Sequence, residues 1–176
     1  MIIFGKCLQV LKRKMTDKIE IRNIRKTDNP ALAQIIRSVL EEFNAAIEGT
    51  AYTDAETFAM FEAYQDKRSV YYIALLNGEI VAGCGIHQLK GEDKSICELQ
   101  KMYMNPKARG KKIGKSLILK CLDFAKETGY KQCYLETFPN MTAAISLYGK
   151  NGFKRIKRSL GNTCHYSCNV WMIKDL

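Results

Sequence analysis

The chain has 176 residues, 47% of them hydrophobic, and a formal net charge of +10. That is enough apolar material for one full core at the usual size of a single domain, and no stretch approaches the roughly 18 to 20 apolar residues of a membrane span. The run from Met1 to Gly5 stops at Lys6 without a small-residue cleavage site, so a cytoplasmic protein without membrane attachment is expected.

Residues 1-14 differ in character from the rest of the chain, and the reading is an N-terminal extension before a single domain over 15-176. From Lys18 the segment KIEIRNIR alternates at period two and predicts a first strand. Asp28 to Pro30 then open a helix whose stripe is Leu32, Ile35, Ile36, Val39 and Leu40, running through Phe43. A second helix is predicted from Thr53, as cap, to Ala63. Ser69 to Leu76 and Glu79 to Ile86 are β-rich runs joined by Asn77-Gly78, the dipeptide that accepts the positive φ angles of a two-residue hairpin turn. The loop KGEDK leads to SICELQKMYM, a third antiparallel strand. Ile113, Leu117, Ile118, Cys121, Leu122 and Ala125 form the stripe of a helix ended by Gly129, and the strand KQCYLETF comes next, a parallel crossover. A helix from Asn140 to Gly152 and closing strands over Phe153 to Arg158 and His165 to Lys174 complete the order.

Seven cysteines, odd in number and spread from Cys7 to Cys168, fit reduced, mostly buried thiols better than a disulfide framework. The charge points to an anionic partner without choosing among nucleic acid, acidic lipid and a phosphorylated cofactor. Its placement says more. Lys107, Arg109, Lys111, Lys112 and Lys115 crowd one segment, with further clusters at Lys12 to Lys14 and Lys154 to Arg158. The segment PKARGKKIGK lies between a strand and a helix and has Gly110 and Gly114. The first N–H groups of a helix lack internal partners and carry the positive end of the dipole, so they can cradle phosphate oxygens. A Gly- and Lys-rich turn before a helix is also often only a turn.

These residues resemble the acetyl-CoA signature of the GCN5-related N-acetyltransferases (GNAT): a glutamine or arginine, then x-x-G-x-G or x-x-G-x-A. Arg109 and Gly114 match, while Lys112 stands where the family usually has its first glycine. Downstream, AAISLYGKNGF resembles the family's A-x-x-L-Y-x-K-x-G-F block at Ala144, Leu147, Tyr148, Lys150, Gly152 and Phe153. The resemblance runs from about Lys18 to the C-terminus. It implies an α/β (α+β) fold: a mixed, mostly antiparallel sheet of about seven strands flanked by about four helices, with a splayed strand pair that admits the cofactor. It implies acetyl-CoA as cosubstrate and no metal, with the pantetheine paired to the backbone of Met102, Tyr103 and Met104. The diphosphate would sit on Arg109, Gly110, Lys111, Lys112, Ile113, Gly114 and Lys115. It also implies an amine acceptor, small molecule or protein, and, as in many members, a homodimer.

Acetyl transfer needs the acceptor amine neutral, and for an amine of pKa about 10.4 the free base at pH 7 costs about 4.6 kcal/mol. The departing thiol, with an ordinary pKa of about 8.5, leaves more readily. A base therefore matters at least as much as an acid. Glu98 is the candidate base, expected on one face with Ile96, Met102 and Met104 and raised in pKa there; an ion pair with a neighbouring lysine, or an exposed strand residue, is the other reading. The resemblance offers Tyr148 as the acid for the leaving sulfur, although its place on a stripe with Met141, Ala144 and Ile145 also accounts for it by packing. Asn140 either bonds the pantetheine or caps its helix; in many members an asparagine stands one position later, at Met141 here. Cys164, His165 and Cys168 lack the second pair a structural metal site would need. His165 reads as an exposed residue or as one near the substrate end. Glu41, Glu42, Glu48, Asp54 and Glu56 fall in the segment that walls the acceptor site in the family, and read as solvated faces or as an attraction for a cationic amine. Two other functions stay open: an acyl-CoA sensor without turnover, and a basic nucleic-acid-binding module, which lacks a recognition element such as a helix-turn-helix.

Overall fold

A computed structural model of the chain describes residues 17 to 176. The extension read over 1-14, with Cys7 and the Lys12 to Lys14 cluster, lies outside the described residues. β1 (Ile19–Asn23) leads into α1 (Asn29–Glu42), where Pro30 occupies the first turn. The stripe expected from the spacing, Leu32, Ile35, Ile36, Val39 and Leu40, is buried, because residues three and four apart share one face of a helix.

The helix read over 53-63 does not form as one piece. A 3-10 turn at Ala55–Phe58 and a single α-helical turn, α2 (Met60–Ala63), are separated by Ala59 at φ −134° and ψ 41°. Thr53 caps nothing. Asp54 takes the N-cap position without a side-chain cap, because its carboxylate turns away to Lys101 and His165, at 3.1 and 3.0 Å. Tertiary ion pairing displaces the local capping bond here.

β2 (Val70–Leu76) and β3 (Glu79–Gln88) form the expected hairpin, with Asn77 at φ 54° and Gly78 at φ 88°, as the Asn-Gly turn requires. β4 (Ile96–Met104) extends the meander, and α3 (Ile113–Glu127) ends before Gly129 at φ 83°. β5 (Gln132–Thr137) returns parallel to β4. α4 (Thr142–Lys150), β6 (Lys154–Ile156) and β7 (Val170–Asp175) close the chain. The strands form one seven-stranded sheet in the order β1-β2-β3-β4-β5-β7-β6, antiparallel except for β4 and β5.

Both closing strands are shorter than the sequence suggests, and residues 157-169 cross between them without regular structure. Gly161 at φ 66° and Cys164 at φ 62° break the extended backbone. The crossing is tied down by Asn162 N–H to Lys90 O at 2.7 Å, Leu160 N–H to Tyr134 Oη at 3.2 Å and Ser167 Oγ to Glu48 O at 2.8 Å. These partners lie far away in sequence, so no local pattern announces them.

Alternate residues of β2 serve two cores. Tyr72, Ala74 and Leu76 pack with α3 and α4 on one face, while Tyr71 and Ile73 pack with α1 and α2 on the other. Cys84, Cys97, Cys121 and Cys133 are buried free thiols in the first core, as a reduced chain predicts, and burial pushes the Cys121 and Cys133 thiols up.

Candidate active site

β4 and β5 pair only at Ile96 with Gln132, Cys97 with Cys133 and Glu98 with Tyr134. Beyond that point the strands part, although β4 runs on to Met104 and β5 to Thr137. Met102, Tyr103 and Met104 lie on the stretch of β4 whose β5 side is open. Gly114, at the start of α3, closes the other side of this gap: a Cβ there would meet Leu147 Cδ2 at 3.0 Å and the Cε atoms of Met102 and Met104 at 3.2 Å. The second glycine of the motif is thus the contact that seats the helix against β4 and α4.

The loop before α3 matches the geometry of an anion cradle. Among the described residues, no N–H from Gly110 to Lys115 has a backbone partner, and the first helical bond is Ser116 N–H to Lys112 O at 3.1 Å. Gly110 has φ 77°, and Lys112 adopts the left-handed conformation with φ 64° and ψ 4°. That conformation is why a glycine suits the position where this chain carries lysine. Lys112→Gly is therefore expected to raise stability by about 0.5 to 1 kcal/mol. Urea unfolding reads this directly, and an unchanged or lower midpoint would show that the left-handed lysine carries no strain.

Arg109 is held elsewhere. Its N–H goes to Pro106 O at 3.1 Å, and its guanidinium grips both oxygens of Glu42 at 2.6 and 2.7 Å above the Phe43 ring. Lys111 pairs with Asp17, while Lys112 and Lys115 stay at the surface of the loop.

The expected alternation along β4 fails at Lys101, which has φ 47° at a break in register between Gly83 and Gly85. The bulge puts Cys97, Leu99, Met102 and Met104 in the α3 core and Tyr103 in the α1 core. Glu98 consequently does not share a face with Met102 and Met104. It lines a narrow cavity of about 40 Å³ with Gln100, Lys101, Tyr103, Glu136, His165 and Cys168. Only 3% of Glu98 is exposed. Its Oε2 accepts from Gln100 Nε2 at 2.6 Å, and Gln100 Oε1 in turn accepts from Tyr64 Oη at 2.9 Å. Burial pushes its carboxyl up to about 7, against the opposing hydrogen bond from Gln100. No ion pair to Glu98 occurs among the described residues, so the lysine-pair reading of this position is not realised; the nearby Lys101 goes to Asp54 and Glu56 instead.

Tyr148 is 5% exposed, with its ring edge-on to Phe153 at 6.0 Å. Burial raises its hydroxyl, with smaller effects from Cys84 and Cys168. Asn140 does not cap α4: Met141 holds the N-cap position, and Asn140 Nδ2 donates to Phe43 O at 2.8 Å. The acidic segment is mostly paired within the protein, Glu41 with Tyr52, Glu42 with Arg109, Asp54 with His165 and Lys101, and Glu56 with Lys101. His165 is no lone exposed residue, since its Nε2 lies 3.0 Å from Asp54 Oδ2. Burial would raise Asp54, but the His165 hydrogen bond and the Lys101 charge hold it at about 2. Sequence reading missed Glu136 and Gln100, and named Asp54 and His165 singly without their grouping around Lys101. Glu136 carries a faint signal, two residues beyond Tyr134 on the same strand face; the group of three carries none. Among the described residues, no three His, Cys, Asp or Glu side chains are grouped to hold a metal ion, and no helix is long and apolar enough to cross a membrane.

Parted parallel strands beside a helix N-terminus with free amides are the arrangement that the sequence resemblance implies, and comparison with known proteins shows the family. Residues 32–153 match the Acetyltransferase (GNAT) family. Over 157 residues the chain is 40% identical to the uncharacterized N-acetyltransferase YjgM of Escherichia coli (strain K12), covering 89% of this chain and 94% of that one. A crystal structure of a GNAT-family acetyltransferase from Staphylococcus aureus Mu50 superposes with a TM-score of 0.78 at 25% identity, covering 90% of this chain and 99% of the other. The PaiA N-acetyltransferase of Thermoplasma acidophilum, crystallised in complex with coenzyme A, has the same fold with a TM-score of 0.69 at 21% identity, over 90% of this chain and 99% of that one. The chain belongs to the GNAT family and is an acetyl-CoA-dependent N-acetyltransferase.

Proposed function

We propose that the protein moves the acetyl group of acetyl-CoA directly to a primary amine, of a small molecule or of a protein, with Glu98 as general base and Tyr148 as general acid. The observation that carries this reading is the Glu98 carboxylate: buried, free of any ion pair among the described residues, pushed up to about 7, and placed where β4 and β5 part. A base works best when its pKa lies near the operating pH, and burial supplies that match here.

Acetyl-CoA supplies an activated thioester whose thiol is a good leaving group. The residues proposed to receive it are the free amides of Gly110, Lys111, Lys112, Ile113, Gly114 and Lys115, with the charges of Lys112 and Lys115 beside them. The backbone of Met102, Tyr103 and Met104 lines the open edge of β4, on which the pantetheine would pair. Glu98 takes the proton that the ammonium must lose. Tyr148 stays protonated because burial raises its hydroxyl, so it can donate to the departing sulfur. Arg109 and Asn140 are assigned supporting roles at the α1 end, through Glu42 and Phe43 O, in place of direct contact with cofactor.

The test is thiol release from acetyl-CoA by the purified chain across a panel of primary amines. Release that depends on the amine and saturates with it is expected. Release at the same rate with and without amine would contradict the reading.

A further inference from the structure

Two carboxylates share the cavity, one from each of the parting strands. Glu98 lies at the last residue of β4 that pairs with β5, and Glu136 lies on β5 two residues beyond Tyr134, the partner of Glu98. Glu136 Oε1 accepts from Tyr134 Oη at 2.7 Å, and Oε2 accepts from Thr163 Oγ1 at 3.2 Å. Both donors are neutral. Neither Glu98 nor Glu136 forms an ion pair with a described residue, whereas the two basic side chains on the same cavity already face other carboxylates: Lys101 faces Asp54 and Glu56 at 3.1 and 3.2 Å, and His165 faces Asp54 at 3.0 Å. Cys168, the remaining titratable group on the wall apart from Tyr103, is pushed up to about 12 by burial and carries no charge. The cavity thus holds two carboxylates with no cationic partner among the described residues, and an incoming cation would let both stay ionised where burial otherwise favours their protonated forms.

We propose that Glu136 receives the acceptor as an ammonium ion and sets the preference of the site for cationic primary amines, a role that rests on the reading of Glu98 as base. The division of labour comes from depth. Glu98 is almost wholly enclosed, while Glu136 is only partly covered and so meets the acceptor first. Its rotamer is fixed from two directions, by Tyr134 on its own strand and by Thr163 on the crossing of residues 157-169. A neutral amine can donate a hydrogen bond to this carboxylate, but only an ammonium adds the attraction of opposite charges in a site of low dielectric.

Two acceptor probes of one shape separate charge from fit: n-butylamine, a cation at pH 7.5, and O-propylhydroxylamine, whose weakly basic nitrogen is neutral there. The quantity read is the ratio of kcat/KM for the first to that for the second, with acetyl-CoA saturating. Glu136→Gln is expected to lower this ratio about tenfold or more, mainly through KM for butylamine, as the loss of a hydrogen bond to a charged group implies. Glu136→Asp, which keeps the charge, is expected to recover at least half of the ratio on a logarithmic scale. Equal loss on both probes in Glu136→Gln, or no loss, overturns the proposal. So does a wild-type protein that neither acetylates nor is saturated by butylamine. Failure of the base assignment shows itself separately, as an unaltered pH profile in a Glu98 variant.

Discussion

Glu98→Gln is expected to lower kcat at pH 7 by about a hundredfold or more, the usual contribution of a positioned general base. The wild-type rate should rise with pH through the neutral range, as the carboxyl that burial holds at about 7 gives up its proton. The variant should lose that limb and track only the growing fraction of free amine. The fold should survive, because the glutamine can present its amide oxygen to Gln100 Nε2, which now donates to Glu98 Oε2 at 2.6 Å.

Stability moves the other way, and the sign comes from linkage. The folded protein holds the Glu98 proton up to about 7, above the ordinary carboxylate value of 4.5. Between those values the native state binds the extra proton, so this residue makes stability fall as pH rises across that window. Glu98→Gln removes the effect. Relative to wild type, the variant should gain thermal stability on going from pH 5 to pH 8, when both are measured by unfolding at each pH. Loss of activity with a gain in high-pH stability is a signature that a surface or ion-paired glutamate would not give.

Tyr148→Phe is expected to lower kcat by about a hundredfold, the lower end of the range for acid catalysis, while the melting temperature stays within about 2 °C. The separation is possible because the hydroxyl has no hydrogen-bond partner among the described residues, whereas the ring packs against Phe153 and the α3 core. Removing the oxygen therefore leaves the packing and removes only the proton. Steady-state kinetics at saturating acetyl-CoA, with calorimetric unfolding beside it, checks both halves. Unaltered turnover in a folded variant would reduce Tyr148 to a core residue.

How much could be read from the sequence depends on the range of the interactions involved. The Asn77-Gly78 turn is legible because it depends on the φ angles of two adjacent residues. The stripes of α1 and α3 are legible because helical spacing puts one face inward. The loop proposed to hold phosphate is singled out partly by chemistry, in its glycines and lysines, and mostly by likeness to a family motif. The features that escaped involve distant pairing. The 53-63 helix breaks at Ala59, and its N-cap side chain, Asp54, turns instead to Lys101 and His165, residues far along the chain. The bulge at Lys101 moves Glu98 off the face that strict alternation assigns it, and a lysine at positive φ gives no warning. Arg109 matches the motif, yet its side chain is taken by Glu42 from α1. Glu136 lines the cavity from β5, but the wall facing it comes from residues 157-169, which cross the site between β6 and β7 and bring Thr163, His165 and Cys168 there.

The measurement closest to the central claim is amide NMR of the labelled protein titrated with coenzyme A. The largest shifts are predicted at Gly110, Lys111, Lys112, Ile113, Gly114 and Lys115, the amides without partners at the start of α3, with smaller ones along Met102 to Met104. Saturation with those amides unmoved, or no binding at millimolar coenzyme A, would contradict the account.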